Sequence, residues 1–297
     1  MVSVTQRITQ YNSEVGQPRG GLIHPSTLTR TEIEDEHGVL DHKIENLHAS
    51  VIGVAVDYLS RLARVHVARD EFSDSVRDVF RVSLRGAERI DAVYAGSGVA
   101  VAADEAVVSI RYFETEQGRV MAAIDESTGR LACQLAGYDV GGRNDPRLWN
   151  PEHGATGVAP NEMTITHVAI MLARTQAFFA GYGPVTKDGF VFADPVRFLL
   201  GERGGYTDLV DSGDGDFLTA DTLWDMKVSA SKPTKDHTLQ LLMYFLMGKE
   251  SGLPEFAELT HVGLLNPRLG AVHRLAVGDV PKETVETIRR DVIGYES

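Results

Sequence analysis

Apolar residues recur at helical spacing between positions 43 and 64, at Leu47, Val51, Val54, Val56, Leu59 and Leu62. The spacing predicts a helix. Two more are expected over 72–87 and over 116–135, the second interrupted by Gly118 and Gly129. A longer helix over 164–180 ends at Gly181-Tyr182-Gly183-Pro184. The pattern then changes. Residues 189–228 alternate as strands and turns, 238–248 are helical, and 260–265 and 271–277 are strands joined through Asn266-Pro267-Arg268. Residues 281–293 close the chain as an amphipathic helix. Turn signals at Pro18-Arg19-Gly20-Gly21 and Pro25-Ser26, followed by an acidic stretch over 32–36, mark the first forty residues as a partly extended arm. The Gly-, Asn- and Pro-rich stretch 137–160 is expected to be a long surface loop. No internal repeat or low-complexity tract is present. The organisation predicted is an extended arm (1–40), a mainly helical region (41–185) and an α/β core (186–297).

Composition narrows the class. A chain of 297 residues, 43% hydrophobic and 24% charged, can bury a large core. No apolar run approaches the roughly 18 residues that a spanning helix needs. The opening MVSVTQRITQYNSE is polar and lacks the apolar segment of a secretory signal, so a cytoplasmic protein with no membrane partner is expected. The single cysteine, Cys133, leaves no internal disulfide and excludes a cysteine-ligated zinc or iron–sulfur centre. A formal net charge of −13 confines any basic, nucleic-acid-binding surface to a local patch. It does not conflict with acidic residues that hold metal ions.

The chemistry concentrates in SGDGDFLTADTLWDMKVS, residues 212–229. Thr222 to Val228 alternate in strand fashion, so Asp225 and Lys227 point to one side. A two-residue turn at Ala220-Asp221 would pair Leu218 with Leu223, Phe217 with Trp224 and Asp216 with Asp225, and directly opposed residues share a face. Two carboxylates and a lysine would then converge. Like charges opposed in a sheet destabilise it unless compensated. A hard divalent cation such as Mg²⁺ or Mn²⁺ compensates them, and Asp216 and Asp225 are the candidate ligands. Asp214 lies on the same strand side as Asp216, and Asp208 would serve with a longer hairpin loop, so both stand as alternatives to Asp216. An ordinary solvated hairpin with a cross-strand ion pair is the competing interpretation.

The next helix weighs against that simpler view. Asp216 followed by Asp225-Met226-Lys227 resembles the PD-(D/E)xK nuclease superfamily, and Gln240-Leu241-Leu242-Met243-Tyr244 resembles the QxxxY motif of its RecB-like branch. Gln240 and Tyr244 are four residues apart and share a helical face. More faintly, Ser50 to Asp57 is similar to the helix that opens the RecB-like core, with Asp57 where many members carry histidine. The resemblance covers the hairpin and the helix after it, the first helix loosely, and nothing in between. It implies a restriction-endonuclease-like mixed central sheet flanked by helices, joined to the mainly helical N-terminal half. It implies Mg²⁺- or Mn²⁺-dependent hydrolysis of DNA phosphodiester bonds. In that scheme Asp216 and Asp225 bind metal, with Asp57 a further candidate ligand or a hydrogen-bonding residue at a helix interface. Lys227 activates water or stabilises charge, and Gln240 and Tyr244 position substrate. A nuclease-fold subunit that has lost catalysis and serves in binding or assembly is the alternative. No GxxxxGK[ST] phosphate loop occurs, so a helicase or ATPase partner would be a separate chain.

Other motifs are weaker. The Gly213–Asp216 run lacks the spacing of a calcium loop, and Gly96-Ser97-Gly98 lacks the rest of a dinucleotide fingerprint. His42, His48 and His66 do not form a HExxH-type pair. His237 is the histidine nearest the proposed site in sequence and is expected to start a helix.

Overall fold

The Ser3 hydroxyl takes the main-chain N–H of Gln6 at 3.2 Å, while the Gln6 side chain returns to the Ser3 N–H at 2.9 Å. This reciprocal cap starts helix α1 (Val4–Glu14) inside the stretch expected to be an extended arm. The computed structural model describes residues 2–115, 118–152 and 157–296. After α1 the chain forms strand β1 (Thr29–Glu32), then α2 (Ala49–Leu62) and the short strand β2 (His66–Val67). Helices α3 (Phe72–Val79), α4 (Arg81–Val93) and α5 (Val99–Val108) follow, then strands β3 (Tyr112–Glu114) and β4 (Val120–Ala122). The helical half ends with α6 (Glu126–Ala136), α7 (Asp139–Arg143) and the long α8 (Glu162–Tyr182). Strand β2 pairs with β4, and β4 with β3, in a small three-stranded sheet.

The second half supplies β5 (Lys187–Val191), the short helix α9 (Pro195–Leu199), β6 (Asp214–Leu218), β7 (Thr222–Met226) and α10 (Lys235–Glu250). Then come β8 (His261–Asn266), β9 (Ala271–Ala276) and α11 (Lys282–Thr287), which widens into a π-type turn over Ile288–Ile293. The large sheet runs β1-β9-β8-β7-β6-β5, antiparallel except where β7 lies parallel to β8. Helix α10 makes that single parallel crossover, as a parallel pair requires.

Strand alternation divides β6 and β7 between two cores. Leu218 and Leu223 pack with the residues of α10, together with α1 and the C-terminal turns. Phe217 and Trp224 point the other way and pack against Phe178 of α8. The Trp224 ring also fills the place of a side chain at Gly263, where a Cβ would lie 2.2 Å from it. Positions 216 and 225 therefore share the α10 side of the sheet.

The fold is α/β with a mixed sheet, as expected, but several local expectations are corrected. The first forty residues, expected to be an irregular, partly extended arm, open instead with helix α1, which packs on α10, while their extended part, β1, is hydrogen-bonded to β9 as a sheet edge. The helix expected over 116–135 starts only at Glu126, because Asp125 caps it through the Thr128 N–H at 2.9 Å, and β4 precedes it. Glu116 and Gln117, its expected first residues, lie outside the described residues. The helix expected over 72–87 divides at Phe80, which leaves helical geometry (φ −96°, ψ 15°) and buries its ring against Tyr58. The loop expected over 137–160 contains α7 and a 3-10 turn at Pro146–Leu148; its residues 153–156 lie outside the described residues. Helix α9 was not expected; Asp194 caps it, with Pro195 at its first position.

Candidate active site

Pairing of Phe217 with Trp224 and Leu218 with Leu223 closes the hairpin around Ala220-Asp221, the register that a two-residue turn dictates. The ladder stops one step before Asp216 and Asp225. There the Asp216 side chain takes over: its Oδ2 accepts the Met226 N–H at 2.6 Å. Asp225 is 4% exposed, and its Oδ2 is buried without a hydrogen-bond partner. Lys227 Nζ stands 3.0 Å from that oxygen, an ion-pair contact without hydrogen-bond alignment. The Lys227 main-chain N–H, donated to Leu265 O at 2.9 Å, extends the β7 alignment one residue past the strand.

Helix α2 brings the third carboxylate. Its N-terminus is capped by His48, whose ring accepts the Ser50 N–H at 3.3 Å. Two turns on, Asp57 faces the hairpin, with Arg61 Nε 3.2 Å from its Oδ1 and 3.1 Å from its Oδ2. Arg61 also approaches Asp188 of β5 at 3.9 Å. Asp57, Asp216, Asp225, Lys227, Gln240 and Tyr244 line one cleft of about 490 Å³.

From the α10 side, Gln240 and Tyr244 form the cleft floor. Both are largely buried, and Gln240 Nε2 donates to the Tyr244 hydroxyl at 2.9 Å. His237 is the helix-start residue expected: its ring accepts the Thr234 N–H at 3.2 Å in a capping box. Asp214 reaches the cleft rim, where Arg143 Nη1 binds it at 3.1 Å. Asp208 is exposed and pairs with Arg203, away from the cleft. The structure therefore brings together Asp57, Asp216, Asp225, Lys227, Gln240 and Tyr244 and leaves Asp208 outside.

Sequence reasoning missed Arg143 and Asp139, which sit in the segment assigned to a loop. Arg143 Nε donates to Asp139 Oδ2 at 2.7 Å, Tyr58 donates to Asp139 Oδ1 at 2.5 Å, and Ser83 donates to the Tyr58 hydroxyl at 3.0 Å. Helix α7 carries this chain because it lies backbone-to-backbone on α4. A Cβ at Gly86 would fall 2.1 Å from Tyr138 O, and one at Gly142 would fall 2.2 Å from Val82 O. Three glycines within two short segments (Gly86, Gly141, Gly142) were the available signal.

Electrostatics follow from the crowding. Loss of water and the Asp225 charge push Asp216 up to about 6. Loss of water, opposed by Arg61, and the Asp216 charge likewise raise Asp57 to about 6. Burial also raises Asp225, against the pull of Lys227. Burial pulls Lys227 down, yet Asp225 and Asp216 hold it above the usual lysine value. Burial and the Lys227 charge lower His237.

Among the described residues no group of three or more His, Cys, Asp or Glu side chains is gathered as a metal cage. A small hard cation does not need one, since Mg²⁺ commonly uses one or two carboxylates and keeps its waters. The buried Asp225 Oδ2, whose one neighbouring group is the Lys227 ammonium, beside a second crowded carboxylate fits that requirement. Asp57 fits it less well, because the Arg61 guanidinium lies within reach of both its oxygens. Among the described residues no helix is long and apolar enough to cross a membrane.

Comparison of the chain with protein families, with curated proteins and with solved structures gives no match.

Proposed function

We propose that the cleft hydrolyses phosphodiester bonds of DNA as a PD-(D/E)xK-type nuclease with a restriction-endonuclease-like core. The observation that carries the proposal is the convergence of two buried, crowded carboxylates, Asp216 and Asp225, with Lys227 on one face of the hairpin, the Asp225 Oδ2 having only the Lys227 ammonium at 3.0 Å beside it. Asp216 and Asp225 would hold Mg²⁺ or Mn²⁺, which when bound acidifies water and offsets charge on a phosphate. Asp216 is fixed for this by the Met226 N–H, which leaves its second oxygen for the cation. Lys227, kept protonated by its two neighbouring carboxylates, places positive charge where the attacking water and scissile phosphate meet. Asp57 holds Arg61 beside the carboxylates, a positioning role rather than that of a third ligand. Gln240 and Tyr244, bonded to each other, shape the floor on which the substrate rests. Arg143, paired with Asp139 and Asp214, closes the rim of the cleft beside them.

The test is incubation of the purified protein with linear and circular DNA, with and without Mg²⁺ or Mn²⁺, alongside Asp225→Asn. Metal-dependent cutting that the variant lacks supports the proposal. Binding of DNA or of a protein partner without cutting under any metal condition overturns it in favour of a non-catalytic assembly subunit.

A further inference from the structure

Outside the carboxylate cluster, the most distinctive charge feature is a set of arginines on α4 and α7. Arg85 Nη2 donates to Gly142 O at 3.0 Å, and Arg89 Nη1 donates to Gly141 O at 2.7 Å. These are carbonyls near the C-terminal end of α7, where a helix leaves acceptors unfilled. The two arginines are four residues apart on one face of α4 and both are exposed. Among the described residues neither makes an ion pair with a carboxylate, in a chain whose formal charge is −13. One nitrogen of each guanidinium is fixed by main chain, so the planar group is held in place on an exposed residue, with donors left over for a ligand. That is preorganisation without neutralisation.

The position matters as much as the charge. Arg85 and Arg89 line a shallow groove with Arg143, Asn144, Asp145 and Arg147, and Arg143 and Asn144 also line the carboxylate cleft. The groove therefore runs into the cleft. Arg147 is neutralised by Asp145, and Arg143 is shared between Asp139 and Asp214; Arg89 feels the Asp145 carboxylate without a direct ion pair, so the least compensated charge in the groove belongs to Arg85 and Arg89. Beside the groove, Tyr94 is 40% exposed, donates to Arg147 O at 3.2 Å and packs on the Trp149 ring. Fixed guanidiniums beside an exposed aromatic ring are the combination that tracks a polynucleotide strand, with phosphates on the arginines and a base against the ring.

From this arrangement we infer that Arg85 and Arg89 bind backbone phosphates of the strand as it leaves the cleft past α7. The groove thereby sets the side on which the polynucleotide extends from the scissile bond. This rests on the nuclease reading of the cleft, so strand binding and bond cleavage are measured separately.

Binding is read by fluorescence polarisation with a fluorescein-labelled single-stranded oligodeoxynucleotide, in EDTA and over a salt series. Cleavage is read on bis(p-nitrophenyl) phosphate, a diester with a single phosphate and no strand extending from it. The double substitution Arg85→Gln, Arg89→Gln is expected to weaken oligonucleotide binding about tenfold or more. It should also flatten the log Kd against log salt slope by about 1.4, at roughly 0.7 per phosphate contact on a single strand. Equal affinity and slope in variant and wild type overturn the inference, as does a wild type that binds no oligonucleotide. Wild-type binding that depends on both arginines, with no hydrolysis of the small diester, overturns the nuclease reading and leaves the phosphate track standing. Because the two arginines also hold α7, phenylglyoxal modification of the wild type provides a measurement independent of folding. Oligonucleotide should protect Arg85 and Arg89, and equal modification with and without it counts against the inference.

Discussion

Asp216 replaces a rung of the β6–β7 ladder: its carboxylate, in place of a main-chain carbonyl opposite Met226, accepts the Met226 N–H, at 2.6 Å. The regular ladder ends where Asp225 comes opposite, and the two acids lie near enough on the α10 face for the Asp225 charge to act on Asp216. The arrangement costs stability in the absence of a cation, since desolvation and mutual repulsion act on both groups.

Divalent metal should therefore stabilise the protein. Binding to the native state alone contributes RT ln(1 + [L]/Kd), about 2.7 kcal/mol at a hundredfold excess over Kd. Thermal unfolding with millimolar Mg²⁺ or Mn²⁺ should show a raised Tm, and Asp225→Asn should lose that increment. An unchanged melting temperature in the wild type would count against the metal site.

The metal-free protein should also lose stability as pH rises through about 6. Asp216 and Asp57 are both raised to about 6, above an unfolded value near 3.8, so the native state binds protons more tightly than the unfolded one. Their contribution is complete below the unfolded value and disappears as pH passes through the native one. Chemical denaturation in EDTA between pH 4.5 and 7.5, a range chosen to bracket the ordinary carboxylate and shifted values, should show this decline. Asp216→Asn should flatten it; a slope that persists in that variant locates the effect elsewhere.

Lys227 separates chemistry from metal binding. Lys227→Ala removes the charge 3.0 Å from Asp225 Oδ2 but no proposed ligand. Metal affinity measured by calorimetry should hold or rise, because Asp225 loses a competing cation. Cleavage should fall by about 10²–10³, the usual cost of one electrostatic contact in a transition state. A variant that cuts as fast as wild type would make Asp225-Met226-Lys227 an ordinary strand sequence.

The hairpin and α10 were legible because their signals are local. A two-residue turn fixes register, strand alternation fixes the face, and a spacing of four fixes Gln240 against Tyr244. The long helices α2 and α8 were legible from apolar periodicity for the same reason. What stayed hidden depends on contacts distant in sequence. Strand β1 is short and fully exposed, so nothing in its own pattern reveals that it pairs with β9 some 240 residues later, a separation seen from Thr29 opposite Arg274. Helix α7 has only five residues, two of them glycine, which read as loop. They are glycine because α4 lies against them, and that contact sets Asp139 and Arg143 at the cleft. Asp57 was identifiable by position in α2, but its partner Arg61 was not singled out, although it lies one turn further along the same helix.

Helix α7 supplies the last prediction. Gly142 has no room for a side chain: a Cβ would lie 2.2 Å from the Val82 carbonyl oxygen and 2.8 Å from Val82 Cγ1. The nearest obstacle is main chain, so no rotamer change relieves it, and α7 must move away from α4. Overpacking of this kind typically costs about 1–3 kcal/mol. Gly142→Ala should lower Tm accordingly and loosen the Arg85 bond to Gly142 O. Because Arg143 follows directly in the chain, its contacts with Asp139 and Asp214 should be disturbed as well. Leu148→Ala, an exposed change on the same cleft wall, serves as the control and should leave stability within about 0.5 kcal/mol of wild type. Thermal melts, with amide exchange over residues 139–143, distinguish the outcomes. Equal melting and equal protection in Gly142→Ala would mean that α7 does not rely on close packing against α4, and that Arg143 is held by its ion pairs alone.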